Sequence, residues 1–216
     1  ADHRAECEKQ GADAYWMRLP SLIAAEEAQR YADQAKAMRD LLKKVIDGGT
    51  FRVKAIMEPH VRGPSFDVTY SYVTDPADLA GKSSPGSDRW TVKGESHRAG
   101  TIKTIKLAGM SCKSSGQLND AVAYTLDTDG FDIGLKEHTK AQAGNVKVTC
   151  KKGYGMSMRP TSDEGSGQVF DKQPLKLQST VVQNLSDMYF AKLLSSGGLT
   201  VSGTEEVTVE LVCPGN

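Results

Sequence analysis

SLIAAEEAQRYADQAKAMRDLLKKVIDGG, residues 21–49, is the longest unbroken pattern in the chain. Apolar residues recur at Ala24, Ala28, Tyr31, Ala35, Met38, Leu42 and Val45, in alternating steps of four and three. That is the period of an amphipathic helix. Ser21 suits an N-cap, Gly48-Gly49 a helix stop, and Lys43 and Lys44 the negative end of the helix dipole. Ala25, Ala32, Leu41 and Ile46 widen the stripe beyond a two-in-seven seam, as on a helix lying against its own core. At 1.5 Å per residue such a helix spans about 40 Å, enough to cross a sheet. This stretch sets the expectation of an α+β fold, with the long helix and a shorter C-terminal one packed on a largely antiparallel sheet.

After Gly49 the period becomes two. In TFRVKAIM, Phe51, Val53, Ala55 and Met57 share one face; in SFDVTYSYVT, Phe66, Val68, Tyr70 and Tyr72 do. Both read as half-buried strands that pair antiparallel. Residues 75–89 are rich in Pro, Gly and Ser and read as a loop or an internal boundary in an otherwise single 1–216 domain. Further strands begin at Trp90, at 101–107 and at 145–152. In AYTLDTDGFDIGL, Asp129-Gly130 suits a two-residue type I′ turn, which would set Leu126 against Ile133. Residues 160–174 read as a mobile loop, and LKLQSTVV (175–182) as extended chain. A helix is expected from Ser186 to Gly197-Gly198, with a Leu185–Phe190 staple. EVTVELVC (206–213) closes the chain as an alternating strand.

Acidic and basic residues balance at 27 each. Nucleic acid is therefore not the expected partner, since that needs a basic face. No apolar run is long enough for a transmembrane helix. The start at Ala1 fits signal-peptidase cleavage, and predicts a secreted or periplasmic chain with its signal peptide removed. Four cysteines, Cys7, Cys112, Cys150 and Cys213, include no CxxC pair. An even count in an exported chain predicts two disulfides rather than zinc. The preferred pairing is Cys7–Cys213 and Cys112–Cys150, the first tying down both termini.

Motifs for chemistry fail on spacing. With Gly130 sixth in a calcium loop, Thr125 stands first and Lys136 twelfth, where acids belong. GMSCKSSGQ lacks phosphate-loop spacing, and neither G-x-S-x-G nor S-x-x-K occurs. His60, His97 and His138 are isolated among polar residues. No catalytic residue, cofactor or metal is assigned. The expected function is a non-catalytic structural or protein-interaction subunit of a cell-envelope or extracellular assembly, homo- or hetero-oligomeric. Its interface edge is expected on the terminal strand, at Glu206, Thr208, Glu210 and Val212. The alternative is a carrier of a small apolar ligand, held between helix and sheet by Phe51, Val53, Met57, Phe66, Tyr70 and Tyr72. A hydrolase with dispersed residues comes third.

Overall fold

The computed structural model describes residues 36, 40, 48–81, 89–128, 132–151, 155–158 and 164–213. These are nearly all antiparallel β-sheet. The strands are β1 (Thr50–Gly63), β2 (Phe66–Thr74), β3 (Ala77–Leu79), β4 (Trp90–Leu107), β5 (Met110–Ser115), β6 (Leu118–Thr128), β7 (Asp132–Gly144), β8 (Val146–Cys150), β9 (Gly155–Met158), β10 (Glu164–Pro174), β11 (Gln178–Asn184) and β12 (Thr200–Val212). A short helix, α1 (Tyr189–Ser196), follows a 3-10 turn at Leu185–Asp187.

The main sheet runs β10-β7-β6-β4-β2-β1-β12-β11. β2 and β3 share the flank of β1, β3 opposite Phe51–Val53 and β2 opposite Ile56–Gly63. β4, at 18 residues, pairs β6 along its first half and β2 along its second. Register shifts at Thr69/Tyr70 and Asn119/Asp120 bend the strands, as bulges do. The result is a strong curl. Its two edge strands, β10 and β11, are joined by residues 175–177 alone, a reach of about 14 Å at most. The Leu211 amide donates to the Leu177 carbonyl at 2.8 Å and pins that connection to β12.

The core follows from the curl. One buried cluster holds Phe51 and Val53 of β1, Leu126 of β6, Leu135 of β7, Phe170 of β10 and Val207 of β12. Strands far apart in the pairing order thus bury their inner faces against one another. A second cluster sets Val146, Val148 and Cys150 of β8 against Val68, Ile102 and Ile105. A third packs α1 and its approach, through Leu185, Ala191 and Leu194, on Met57, Val61 and Val201.

The α+β expectation is therefore overturned. Of the predicted helix over 21–49, only Lys36, Asp40, Gly48 and Gly49 are described. The first three are helical and exposed, and the rest of that reading lies outside the described residues. A sheet that closes on its own apolar face needs no helical layer to cover it. α1 begins after Met188 rather than at Ser186, which sits in the 3-10 turn, but it ends at Gly197-Gly198 as expected. The residues read as a loop over 160–174 include β10, and Trp90 to Leu107 is one strand.

The β6–β7 hairpin exists with its inner face as read, but its register differs. Leu126 faces Leu135, and Thr128 faces Ile133. A slip of two residues keeps every side chain on its face, so the apolar pattern alone does not choose between the registers. Asp129-Gly130 lies outside the described residues. The β4–β5 hairpin turns through Ala108 (φ 47°) and Gly109 (φ 77°), a pair of positive angles as in a type I′ turn.

Cys112 and Cys150 form a disulfide that joins β5 to β8. Cys213 is also disulfide-bonded, and its expected partner Cys7 lies outside the described residues.

Gly203 carries φ +113°, and a Cβ there would stand 2.0 Å from the Glu58 carbonyl oxygen. Both the backbone angle and the close approach of β1 require glycine. Gly203→Ala is expected to destabilise the fold by about 1–3 kcal/mol, the range for a strained backbone site. A urea midpoint equal to that of the unmodified chain would show that β12 does not approach β1 this closely.

Candidate functional site

Charge is buried inside the curl. Arg98 on β4 is 4 % exposed, and Glu205 on β12 is 1 % exposed. The Arg98 guanidinium donates to Glu137 of β7, and stands 3.6 Å from Glu205 Oε1. Its Nε donates to Thr74 Oγ1 at 3.1 Å. Gln183 of β11 donates to Glu205 Oε2 at 2.6 Å. β7 and β12 each lie one strand in from opposite edges of the sheet, so Arg98 ties the two limbs together across the interior. Glu205 faces Met57 in register. The cluster therefore sits between the main core and the residues under α1.

Two carboxylates share one guanidinium. Burial raises the pKa of Glu205 most, the Glu137 charge raises it further, and Arg98 and Gln183 offset part of this. For Arg98, burial disfavours the charge, but Glu137, Tyr124 and Glu205 together outweigh it and the pKa is raised. Burial also raises Tyr124, the Glu137 charge adds to this, and Arg98 and Thr74 offset part of it. The arrangement favours a carboxyl that keeps its proton above the usual carboxylate range.

The curl leaves an open seam. β10 and β11 run antiparallel and are chain neighbours, yet neither pairs the other. β10 is irregular: its pairing with β7 shifts between Gln168 and Gln173, Lys172 has φ 47°, and Pro174 has no N–H to give. β11 is regular. It pairs β12 without a break from Gln178↔Glu210 to Asn184↔Thr204. Among the described residues its other flank has no strand partner. Its sequence, QSTVVQN, contains no charge, proline or glycine, and so none of the usual protections of an edge. Val182 is 61 % exposed, and it heads a row across the outer face: Val182, Glu206, Ile56 and Val73. Ile56 and Val73 are about half exposed as well.

The residues expected to form an interface edge, Glu206, Thr208, Glu210 and Val212, lie on β12 between β1 and β11. That strand is paired on both flanks; the edge is its neighbour. The residues expected to line an apolar pocket are divided among three packed clusters: Phe51 and Val53 in the main core, Phe66 and Tyr70 under β8, and Met57 under α1. Tyr72 stacks beside Tyr70, with ring centroids 6.0 Å apart. Burial raises its phenol pKa. Among the described residues these side chains are thus shared out between separate packed clusters.

His138 and Ser166 are cross-strand neighbours on the exposed outer face, with Nδ1 and Oγ 2.6 Å apart. This resembles a base and a nucleophile. However, ladder N–H groups lie in the plane of the sheet, and side chains stand out from it. The ladder thus offers no backbone oxyanion donors above that face. His60 pairs with Asp67 at 2.7 Å. Among the described residues no group of His, Cys, Asp and Glu is placed to hold a metal, and no helix is long and apolar enough to cross a membrane.

Sequence reading missed Arg98 and Glu205, and it read 175–182 as extended without placing β11 at the sheet edge. The signal for Glu205 was present: in TEEVTVELV the alternation that turns Val207, Val209 and Leu211 inward turns Glu205 inward too. The chain matches no family model, no curated protein and no solved structure.

Arg98→Met is expected to lower stability by about 3–5 kcal/mol, because it leaves two buried carboxylates without their cation. The pH dependence has a definite sign. A raised Glu205 pKa means that the folded state holds this proton more tightly than the unfolded state does. Its contribution is full below the unfolded pKa, and is lost as pH rises through the folded one. The exposed carboxylates Asp78 and Asp127, with lowered pKa values, act oppositely but weakly. Stability of Glu205→Gln relative to the unmodified chain should therefore grow as pH rises. Parallel denaturation curves across pH would show that Glu205 does not titrate anomalously.

Proposed function

We propose that the chain is a non-catalytic interaction subunit that assembles by pairing β11 with the β11 of another copy, within a cell-envelope or extracellular assembly. The observation that carries this reading is the regular, uncharged edge of β11, which has no strand partner among the described residues. Unpaired strand edges bind other strands through main-chain hydrogen bonds, and side chains set the register. The sequence of β11 is self-complementary when two copies run antiparallel about Val181. Gln178 then faces the other copy's Asn184, Ser179 faces Gln183, and Thr180 faces Val182. No like charges oppose one another in that register.

The outer face supports the same reading. Val182, Ile56 and Val73 lie in one row, spanning about 14 Å at the usual strand spacing. A partner pairing with the edge and leaning over this row would cover apolar surface as well as satisfy backbone groups. A specific contact needs roughly 1,000 Å² in total, and an edge strand with an adjoining face row can approach that.

Val182→Lys places a charge on the outer face, where the side chain is already exposed and monomer packing is unaffected. Sedimentation velocity should show self-association of the unmodified chain and its loss in the variant, with the melting temperature unchanged. A chain that stays monomeric from about 1 μM to about 1 mM, or a variant that associates as well as the original, would refute self-pairing through β11.

A further inference from the structure

We infer that a basic face, built where β5 and β8 branch from the main sheet, binds a linear anionic polysaccharide along a diagonal of lysines. β5 pairs both β4 and β8, and β8 pairs β9. Ser111 and Lys113 of β5 stand on the exposed face, as do Lys106 of β4 and Lys147 and Thr149 of β8. Cys112, Val146, Val148 and Cys150 alternate with them and turn inward. The Cys112–Cys150 bond and that packing hold the face in place before any partner arrives, which lowers the ordering cost of binding. The face shares no residue with β11 or with the Arg98 cluster.

The pairing register places the lysines. Lys106 faces Ser111, and Lys113 stands two residues further along β5. Lys113 in turn faces Thr149, and Lys147 faces Ser115. Lys106, Lys113 and Lys147 are therefore successive diagonal neighbours on three adjacent strands, in two equal steps. Each step is about 8 Å, so the line covers about 16 Å. Ser111 and Thr149 flank it on one side and Ser115 on the other, and Ser157 of β9 faces Lys147 at its end.

Charge is segregated here. Acidic and basic residues balance over the whole chain, yet β5, β8 and β9 carry no acid. Lys113 and Lys147 make no ion pair with described residues. The carboxylate in register with Lys106 is Asp67 on β2, and His60 and Arg62 already hold it at 2.7 and 3.3 Å. The line thus offers evenly spaced ammonium groups to an anion that is itself extended. The flanking residues select its kind. No aromatic residue lies on β5, β8 or β9, so the bases of a nucleic acid strand have no stacking platform. The outward residues of β5 and β8 are Ser, Thr and Lys alone, so a bilayer finds no apolar anchor. The hydroxyls of Ser111, Ser115 and Thr149 both donate and accept. They suit the sugar hydroxyls that lie between the charged groups of a polysaccharide.

The test titrates the full chain against an end-labelled octasaccharide of heparin by fluorescence anisotropy, from about 50 to about 200 mM salt. Saturable binding is expected, with neutral dextran failing to compete. The double variant Lys113→Gln, Lys147→Gln should weaken binding at least about tenfold and lower the salt slope by about two. Lys54→Gln with Lys93→Gln removes the same charge from exposed positions elsewhere, and should weaken it less than about twofold through screened long-range attraction. All four positions are exposed, so the melting temperature should not change in either variant. No binding with the chain at about 1 mM, the weak end of measurable affinity, would overturn the inference. Equal losses in the two double variants would do so too, because they would show diffuse attraction rather than a site. Tighter binding of oligo-dT or of phosphatidylglycerol vesicles through Lys113 and Lys147 would overturn the assignment to a polysaccharide.

Discussion

Arg98 is the constraint on which the rest of the structure depends. A sheet of this length could lie open, with its apolar face against a second layer. Here one guanidinium reaches Glu137 on one limb and Glu205 on the other, and the limbs are held so that the sheet's own face becomes the core. Taking these charges out of water is costly, and an ion pair that repays the cost does so only with good geometry and further hydrogen bonds. Thr74 and Gln183 supply two of them. The cluster specifies which strands face one another more than it adds net stability, because apolar side chains alone would tolerate other curls.

The same closure explains why an edge remains. β10 reaches the seam with shifted register, a left-handed Lys172 and Pro174, and cannot present an even row of backbone groups to β11. β11, tied to β12 along its whole length and to the buried cluster through Gln183, has no strand partner on its other flank among the described residues. Interior electrostatics and the exposed edge are thus two consequences of one geometry. The exposed ion pairs, such as Arg52–Asp78 at 2.7 Å, sit in high dielectric and contribute little by comparison.

Local periodicity was legible and pairing order was not. Phe51, Val53 and Ala55, and later Val207, Val209 and Leu211, stand on the inner face as their alternation requires. The Cys112–Cys150 pairing also agrees with the sequence reading. Yet alternation says only which side of a strand is buried. It does not say that β12 lies between β1 and β11, so the terminal strand looked like an edge. Nor does it fix the β6–β7 register, since a two-residue slip preserves every face. Arg98 was passed over because its partners are 39 and 107 positions away in sequence, beyond the reach of any local pattern. The helical period over 21–49 gave the strongest local signal, and drew the fold assignment towards α+β although the strands supply their own cover.

The central claim is that β11 is free in the single chain and occupied in the assembly. Amide hydrogen exchange read residue by residue tests it directly. In a dilute sample, the β11 amides that point away from β12 should exchange fast while their neighbours, bonded to β12, stay protected. On concentration the fast set should become protected together. Protection of both sets in the dilute monomer would contradict the account, because the edge would already be covered. Fast exchange that persists at high concentration would contradict it equally.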